Sequence, residues 1–411
     1  MGTQEAQPQP VPNGHLDPEV FALLRLTMTP GLGPVLIRRL VQRYAVPSKV
    51  CECSAAELER VDGIGPGKSK TIVEGLKASG ELAQREWAQC QNLGVTLHSC
   101  FLPHYPVLLA PLADAPVLLY VRGSLDEVRD RFGVAIVGSR SCTSYGIEQS
   151  KRFGRTLAGA GLTVVSGGAT GIDTAAHEGA LDALGRTVAV LGCGLARVYP
   201  PQNEKLFERI VQTGGALISE LPLMTPPAKE NFPSRNRIIS GMSLGVVVIE
   251  AARGSGALIT AKVAAEEHGR EVLVVPGRVD SSSSAGSLDL LKEGGALLIT
   301  EPGDVIHALE SPARHAAIGT HGERFNTFAQ HASPDRDASS LFGESQPAKQ
   351  ATTRLPASES QRAILNALDE PGTIDDLCAK TGMDAGKLRG ELTMLEIQKR
   401  VSRRGAVFTR V

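Results

Sequence analysis

The feature that most constrains this chain is a series of short apolar runs, each of strand length, that starts at Gly133. The runs fall at Val134–Val137, Leu162–Val165, Val188–Leu191, Ala216–Ile218, Val246–Ile249, Val272–Val275 and Ala296–Ile299. Segments of helical length separate most of them. A strand with one wet face alternates apolar and polar residues, whereas these runs are continuous and call for cover on both faces. Strands of that kind alternating with helices predict an α/β fold: an extended Rossmann-like, doubly wound, mostly parallel sheet. The 44 glycines and the low aromatic content of 4% suit its many tight turns.

At 411 residues the chain exceeds one ordinary core, and the rest divides by pattern. Residues 1–16 read as a disordered leader. Residues 17–80 read as a helical domain of the helix-hairpin-helix or SAM-like kind, because two segments repeat a motif. Gly31-Leu32-Gly33-Pro34 and Gly63-Ile64-Gly65-Pro66 each separate two short helices, with basic residues one turn beyond. Such turns let backbone N–H groups approach a phosphate. Residues 81–309 carry the sheet and, at Asp114–Gly123, a strand leading into it. Residues 310–356, rich in Ser, His, Asp, Gln and Pro, read as a flexible linker. Residues 357–411, with three helical segments and a terminal hairpin, read as a winged helix.

Several classes fall away. The net charge of −1 gives no general support for nucleic-acid binding, so any such role must rest on local patches. The seven cysteines are scattered, and Cys51-Glu52-Cys53 has no accompanying ligand cluster, so no metal is expected. No apolar stretch suits a signal peptide or a membrane span, which makes a cytoplasmic location the expectation. The glycine spacing matches neither a dinucleotide fingerprint nor a phosphate-binding P-loop, and no cofactor is expected.

The strand ends carry the candidate site. One run passes into Gly138-Ser139-Arg140 and the next into Ser166-Gly167-Gly168, at the carboxyl ends of parallel strands where open α/β sheets bind ligands. Glycines and helix N-termini there favour anions. Lys229, Phe232, Arg235 and Arg237 place three cations and an aromatic within nine residues. That combination suits phosphate contacts with base stacking on Phe232, or else an ordinary loop whose arginines pair with acids such as Glu230 or Glu250. Asp173 and His177 share a helix face and read as a helix-capping acid and a packed histidine; Glu220 and Glu250 read as partners of nearby cations. No catalytic residue is assigned. Lys68, Lys70, Arg403 and Arg404 are candidate secondary contacts.

Taken together, Val137-Gly138-Ser139-Arg140, Ser166 to Asp173 with His177, Tyr199-Pro200, Ile218-Ser219-Glu220, Phe232 to Ile239, Glu250-Ala251, Ser255 to Thr260 and Val275-Pro276-Gly277 resemble the DNA processing protein A (DprA/Smf) family. The resemblance implies a non-enzymatic protein that binds and protects incoming single-stranded DNA and loads the RecA recombinase during natural transformation. It also implies a homodimer through the Rossmann-like domain, with single-strand-binding protein as a further partner. Carried over by motif, Gly138, Ser139 and Arg140 form one wall of the DNA pocket and Lys229 and Phe232 another, with Arg235 and Arg237 in the same signature. The family usually carries an asparagine near Ser287 and Asp289, where this chain has none. The alternative is a phosphoribohydrolase-like nucleotide hydrolase using the same crevice, since such relatives share glycine-rich turns and a strand-end glutamate.

Overall fold

The computed structural model describes residues 16–318 and, in the C-terminal part, 359–368, 372–383, 401–404 and 407–410 together with positions 388, 392 and 395. The chain divides into two compact units, Met1–Asp335 and Arg336–Val411. The expected leader, up to residue 15, and the expected linker from 319 onward lie outside the described residues.

The first unit opens with five helices: α1 (Pro18–Thr27), α2 (Pro34–Tyr44), α3 (Pro47–Cys51), α4 (Ala55–Leu58) and α5 (Pro66–Asn92). Their starts are written locally. The Asp17 carboxylate accepts the Glu19 N–H at 2.8 Å, and Ser54 and Glu57 form a reciprocal capping box. The two repeated turns fold alike. Gly31 and Gly63 sit at φ of +85° and +90°, values that favour glycine, and each is followed by a proline in the first turn of the next helix.

Among the described residues nine strands follow in one sheet: β1 (Val95–Ser99), β2 (Leu118–Gly123), β3 (Gly133–Val137), β4 (Thr163–Ser166), β5 (Thr187–Val190), β6 (Ala216–Ser219), β7 (Gly245–Val248), β8 (Glu271–Val274) and β9 (Leu297–Leu298). Their order is β1-β2-β6-β5-β4-β3-β7-β8-β9. From β6 to β9 every pairing is parallel; β2 joins β6 and β1 joins β2 antiparallel. The chain winds one way from β3 to β6, then returns past β3 to lay down β7, β8 and β9. That reversal puts the topological switch point beside β3. The intervening helices are α6 (Ser144–Gly159), α7 (Ile172–Asp182), α8 (Glu204–Gln212), α9 (Asn231–Gly241), α10 (Gly256–Glu266), α11 (Ala285–Lys292) and α12 (Pro302–Ile318). Strands β3 to β7 are buried throughout, as their unbroken apolar runs require.

Two domain boundaries differ from the sequence expectation. Helix α5 runs through residue 80 without interruption, and the five helices share a core with the sheet. Leu23, Leu40 and Ile72 pack in one cluster with Tyr120, Leu191 and Leu217. Each such buried side chain contributes roughly 1.5–3 kcal/mol, and short helices alone leave too much apolar surface uncovered. Buried Glu86 adds a polar tie, accepting the Leu223 N–H at 2.7 Å. At the other end α12 continues to Ile318, past the expected linker start at 310, because Val305, Leu309 and Ala316 bury against the β3 and β8 layer.

The second unit contains α13 (Glu359–Ala367), β10 (Gly372–Thr373), α14 (Ile374–Thr381), β11 (Val401–Arg404) and β12 (Val407–Arg410). Its sheet order is β10-β12-β11, with a Thr373–Asp376 capping box starting α14. Ile364, Leu377, Leu388, Leu392, Leu395, Val401 and Phe408 form its core. This is the expected winged helix.

Candidate functional site

The carboxyl ends of β3, β4 and β7 enclose an open cavity of about 410 Å³ at the switch point. Its walls are the Gly138–Arg140 turn, the first turns of α9 from Phe232 to Asn236, and the turn from Ala252 to Ala257. The first wall is held from β7. Ser139 N–H donates to the Glu250 carbonyl at 2.7 Å, and the buried Glu250 carboxylate accepts the Thr143 N–H at 2.7 Å and its hydroxyl at 3.0 Å. Thr143 in turn caps α6 by accepting the Gly146 N–H. Glu250 therefore fixes a loop, and among the described residues no cation pairs with it, contrary to the sequence expectation.

Arg140 is exposed, with its guanidinium carbon 4.8 Å from the centroid of the half-buried Phe232 ring. The Tyr199 ring meets Phe232 on another side, with centroids 5.7 Å apart and planes inclined by 40°. Lys229 is exposed on the loop before α9, and no hydrogen bond or ion pair occupies it among the described residues. Arg140 and Lys229 supply exposed charge, and Phe232 and Tyr199 supply an aromatic surface.

The other two arginines of the segment turn inward. Arg235 is 5% exposed and donates to the carbonyls of Gly167, at 2.6 Å, and Val190. Burial pushes its pKa down to about 10; Asp173 opposes that shift and Arg140 adds to it, and the group stays cationic at neutral pH. Asp173 lies across Gly167 from it: a methyl there would stand 2.7 Å from Asp173 Oδ2 and 2.8 Å from Arg235 Nη2. Burial raises the Asp173 pKa, while Arg235 and the Ala169 N–H hold it down. Arg237 is committed to Glu220 and to the Asp114 carbonyl. Burial raises the Glu220 pKa and Arg237 opposes the rise, so Glu220 is the cation partner the sequence suggested.

Ser166 is fully buried and donates to the Ile136 carbonyl at 2.6 Å, so its hydroxyl faces the sheet. Gly167 and Gly168 line a neighbouring cavity beside Arg140 and Phe232. His177 is packed as expected. The Thr187 hydroxyl donates to the Val164 carbonyl at 2.7 Å and so accepts from His177 Nδ1 at 2.7 Å, leaving Nε2 a buried lone pair. Burial pushes its pKa down to about 3. Ser287, near the position of the family's asparagine, bonds the Ala251 N–H at 3.3 Å, while Asp289 pairs with Arg253 at 2.6 Å.

In the repeated hairpins, Lys68 and Lys70 are exposed, with Lys68 Nζ 3.5 Å from the Gly63 carbonyl. Arg38 is spent on the Ala115 carbonyl and Arg39 on Asp62. Arg403 and Arg404 lie on β11. Sequence reasoning gave no role to Tyr199 or Thr143, nor to Gly192, whose missing side chain admits the Phe232 ring. Their signals were position, in loops after β3 and β5 at the same end of the sheet, and for Tyr199 its place in the Tyr199-Pro200 motif of the family resemblance.

Fold and crevice together define a Rossmann-like protein whose switch point is walled by glycine turns and a free arginine set against aromatic rings, with its buried acids engaged internally. A family model described as DNA recombination-mediator protein A matches residues 96–310, and one described as DprA winged helix domain matches 346–406. The chain belongs to the DNA recombination-mediator protein A family. It is 34% identical over 383 residues to Protein Smf of Synechocystis, covering 90% of this chain and 94% of that one. It is 38% identical over 293 residues to Protein Smf of Escherichia coli, 71% of each chain. The X-ray structure of DNA processing protein A from Streptococcus pneumoniae superposes with a TM-score of 0.61 at 33% identity, covering 70% of this chain and 97% of that one. Among the described residues no helix is long and apolar enough to cross a membrane.

Proposed function

We propose that this protein is a non-enzymatic mediator that binds single-stranded DNA in the switch-point crevice and delivers it to the RecA recombinase. The observation that carries the reading is the Arg140–Phe232 pair, with exposed Lys229 three residues before the ring in sequence: cations for phosphates and an aromatic face for a base. Gly138, Ser139, Gly167 and Gly168 contribute backbone, while Arg235 and Arg237 act from beneath, holding α9 so that Phe232 stands at the rim. A hydrolase would need an acid free to act, and Glu220, Glu250 and Asp173 are each held by internal partners.

The homodimer belongs to the same reading. β9 is an edge strand with Leu297 and Leu298 50% and 58% exposed, an apolar edge suited to a second copy. Lys68, Lys70, Arg403 and Arg404 are secondary contacts to backbone phosphates. The chain works in the cytoplasm, alongside single-strand-binding protein. Fluorescence anisotropy with labelled single-stranded oligonucleotide tests the core of the proposal. The Arg140→Ala/Lys229→Ala double variant should bind much more weakly than wild type, and equal affinities would sink the crevice assignment. RecA delivery is read separately, as faster RecA filament nucleation on strand coated with single-strand-binding protein.

A further inference from the structure

A cavity of about 290 Å³ lies next to the crevice. Arg140, Phe232 and Arg235 border both, so the Phe232 ring with Arg140 above it forms a partition between two chambers. The second chamber is lined on one side by Gly167 to Thr170 and on another by Tyr199 to Gln202. Its volume exceeds one nucleobase and falls short of a drug-sized ligand site.

The residues around it are arranged for a flat ligand. Gly192 stands where any side chain would collide with the partition: a methyl there would lie 2.7 Å from Phe232 Cδ1 and 3.1 Å from Cε1. Tyr199 is 36% exposed although it touches Phe232, so part of its ring still faces outward. The Gln202 side chain is exposed and the Thr170 side chain half-exposed, and no hydrogen bond occupies either among the described residues. Beneath them Arg235 keeps a buried positive charge, with a pKa of about 10. Aromatic surface, free hydrogen-bonding groups and underlying positive charge are the three things an unstacked nucleotide uses.

We propose that this chamber is a second nucleotide subsite, in which a base stacks on Tyr199 and meets Gln202 and Thr170 with its edge. The strand then crosses Phe232 as over a wedge, with one base in the crevice and its neighbour in the Tyr199 chamber. Arg140, bordering both, lies where the phosphate joining them passes. This inference rests on the single-stranded DNA reading and adds to it a second, separately removable stacking position.

The test scans one abasic residue along a short labelled oligodeoxythymidylate, with wild type, Tyr199→Ala and Tyr199→Phe. Wild type should show two neighbouring positions at which the missing base weakens binding. Tyr199→Ala should lose roughly 5- to 100-fold in affinity for the intact strand, become insensitive at one of the two positions and keep the other. Tyr199→Phe, which keeps the ring, should stay within about two-fold of wild type. Circular dichroism and thermal melting show whether Tyr199→Ala folds; if it does not, the wild-type scan and Tyr199→Phe still decide. A single sensitive position in wild type, or an unchanged scan in folded Tyr199→Ala, overturns the second subsite while leaving the crevice standing. Wild type that fails to bind the intact strand overturns the underlying reading instead.

Discussion

Replacing Arg140 with alanine removes an exposed guanidinium that lies 4.8 Å from the Phe232 ring centroid. Two effects oppose each other. The lost charge-assisted contact to a phosphate costs about 1.5–3 kcal/mol of binding. In the free protein, however, Arg140 covers the ring face that a base would take, and giving up that contact costs about 0.5–1 kcal/mol on binding, which the variant avoids. The phosphate contact is the larger, so the net loss is about 1–2 kcal/mol, or roughly 5- to 30-fold in Kd. The sign of the salt dependence follows as well. One fewer phosphate contact flattens the single-strand slope by about 0.7, so the variant's disadvantage shrinks roughly 2.6-fold between 50 mM and 200 mM salt. Anisotropy titrations across that range measure both quantities. Folding stability should change by less than about 0.5 kcal/mol because the side chain is exposed. An affinity loss with an unaltered salt slope would refute the phosphate assignment, and an unaltered affinity would refute the site.

Arg235→Ala should act on folding first, lowering stability by roughly 3–5 kcal/mol in a denaturant titration, because it strands buried Asp173 and frees the Gly167 and Val190 carbonyls; a loss below about 1 kcal/mol would contradict its anchoring role. His177 carries a depressed folded pKa of about 3, so its contribution is fully present above the unfolded value near 6.5 and is lost as pH falls from there toward 3. Asp173 works the other way, its raised pKa eroding stability as pH climbs above 3.8. The difference between wild type and His177→Gln isolates the histidine: the variant's stability should fall less steeply on acidification, by up to about 1.4 kcal/mol per pH unit, and parallel curves would contradict it. Leu298→Arg should shift the protein toward monomer in sedimentation velocity without lowering the affinity of one protomer for a short strand; an unshifted dimer would move the interface away from β9.

The layout of the sheet was legible because a doubly buried strand needs an unbroken apolar run, and β3 through β8 each carry one close to its observed bounds. β1 escaped notice: Val95–Ser99 pairs along one edge only, with intermediate burial at its centre, and so has no such run. The repeated hairpins were equally plain, since positive φ at Gly31 and Gly63 and proline in the next first turn are local demands. That the helical segment shares a core with the sheet was not legible, because nothing local says that Leu23 and Ile72 will meet Tyr120 and Leu217.

By itself, then, the sequence determined the parallel sheet, its glycine-rich strand ends, the winged helix and the family. Those follow from periodicity, turn chemistry and ordered motifs, which are properties of neighbours along the chain. Tertiary structure alone decided which cations are free. Arg140, Lys229, Arg235 and Arg237 are all charged groups in one motif set, yet two of them face solvent and two are spent on carbonyls and a carboxylate from β5, the loops after β4 and β6 and the loop before β2. A buried guanidinium must find acceptors, and those acceptors come from strands far away in sequence that only folding brings beneath α9.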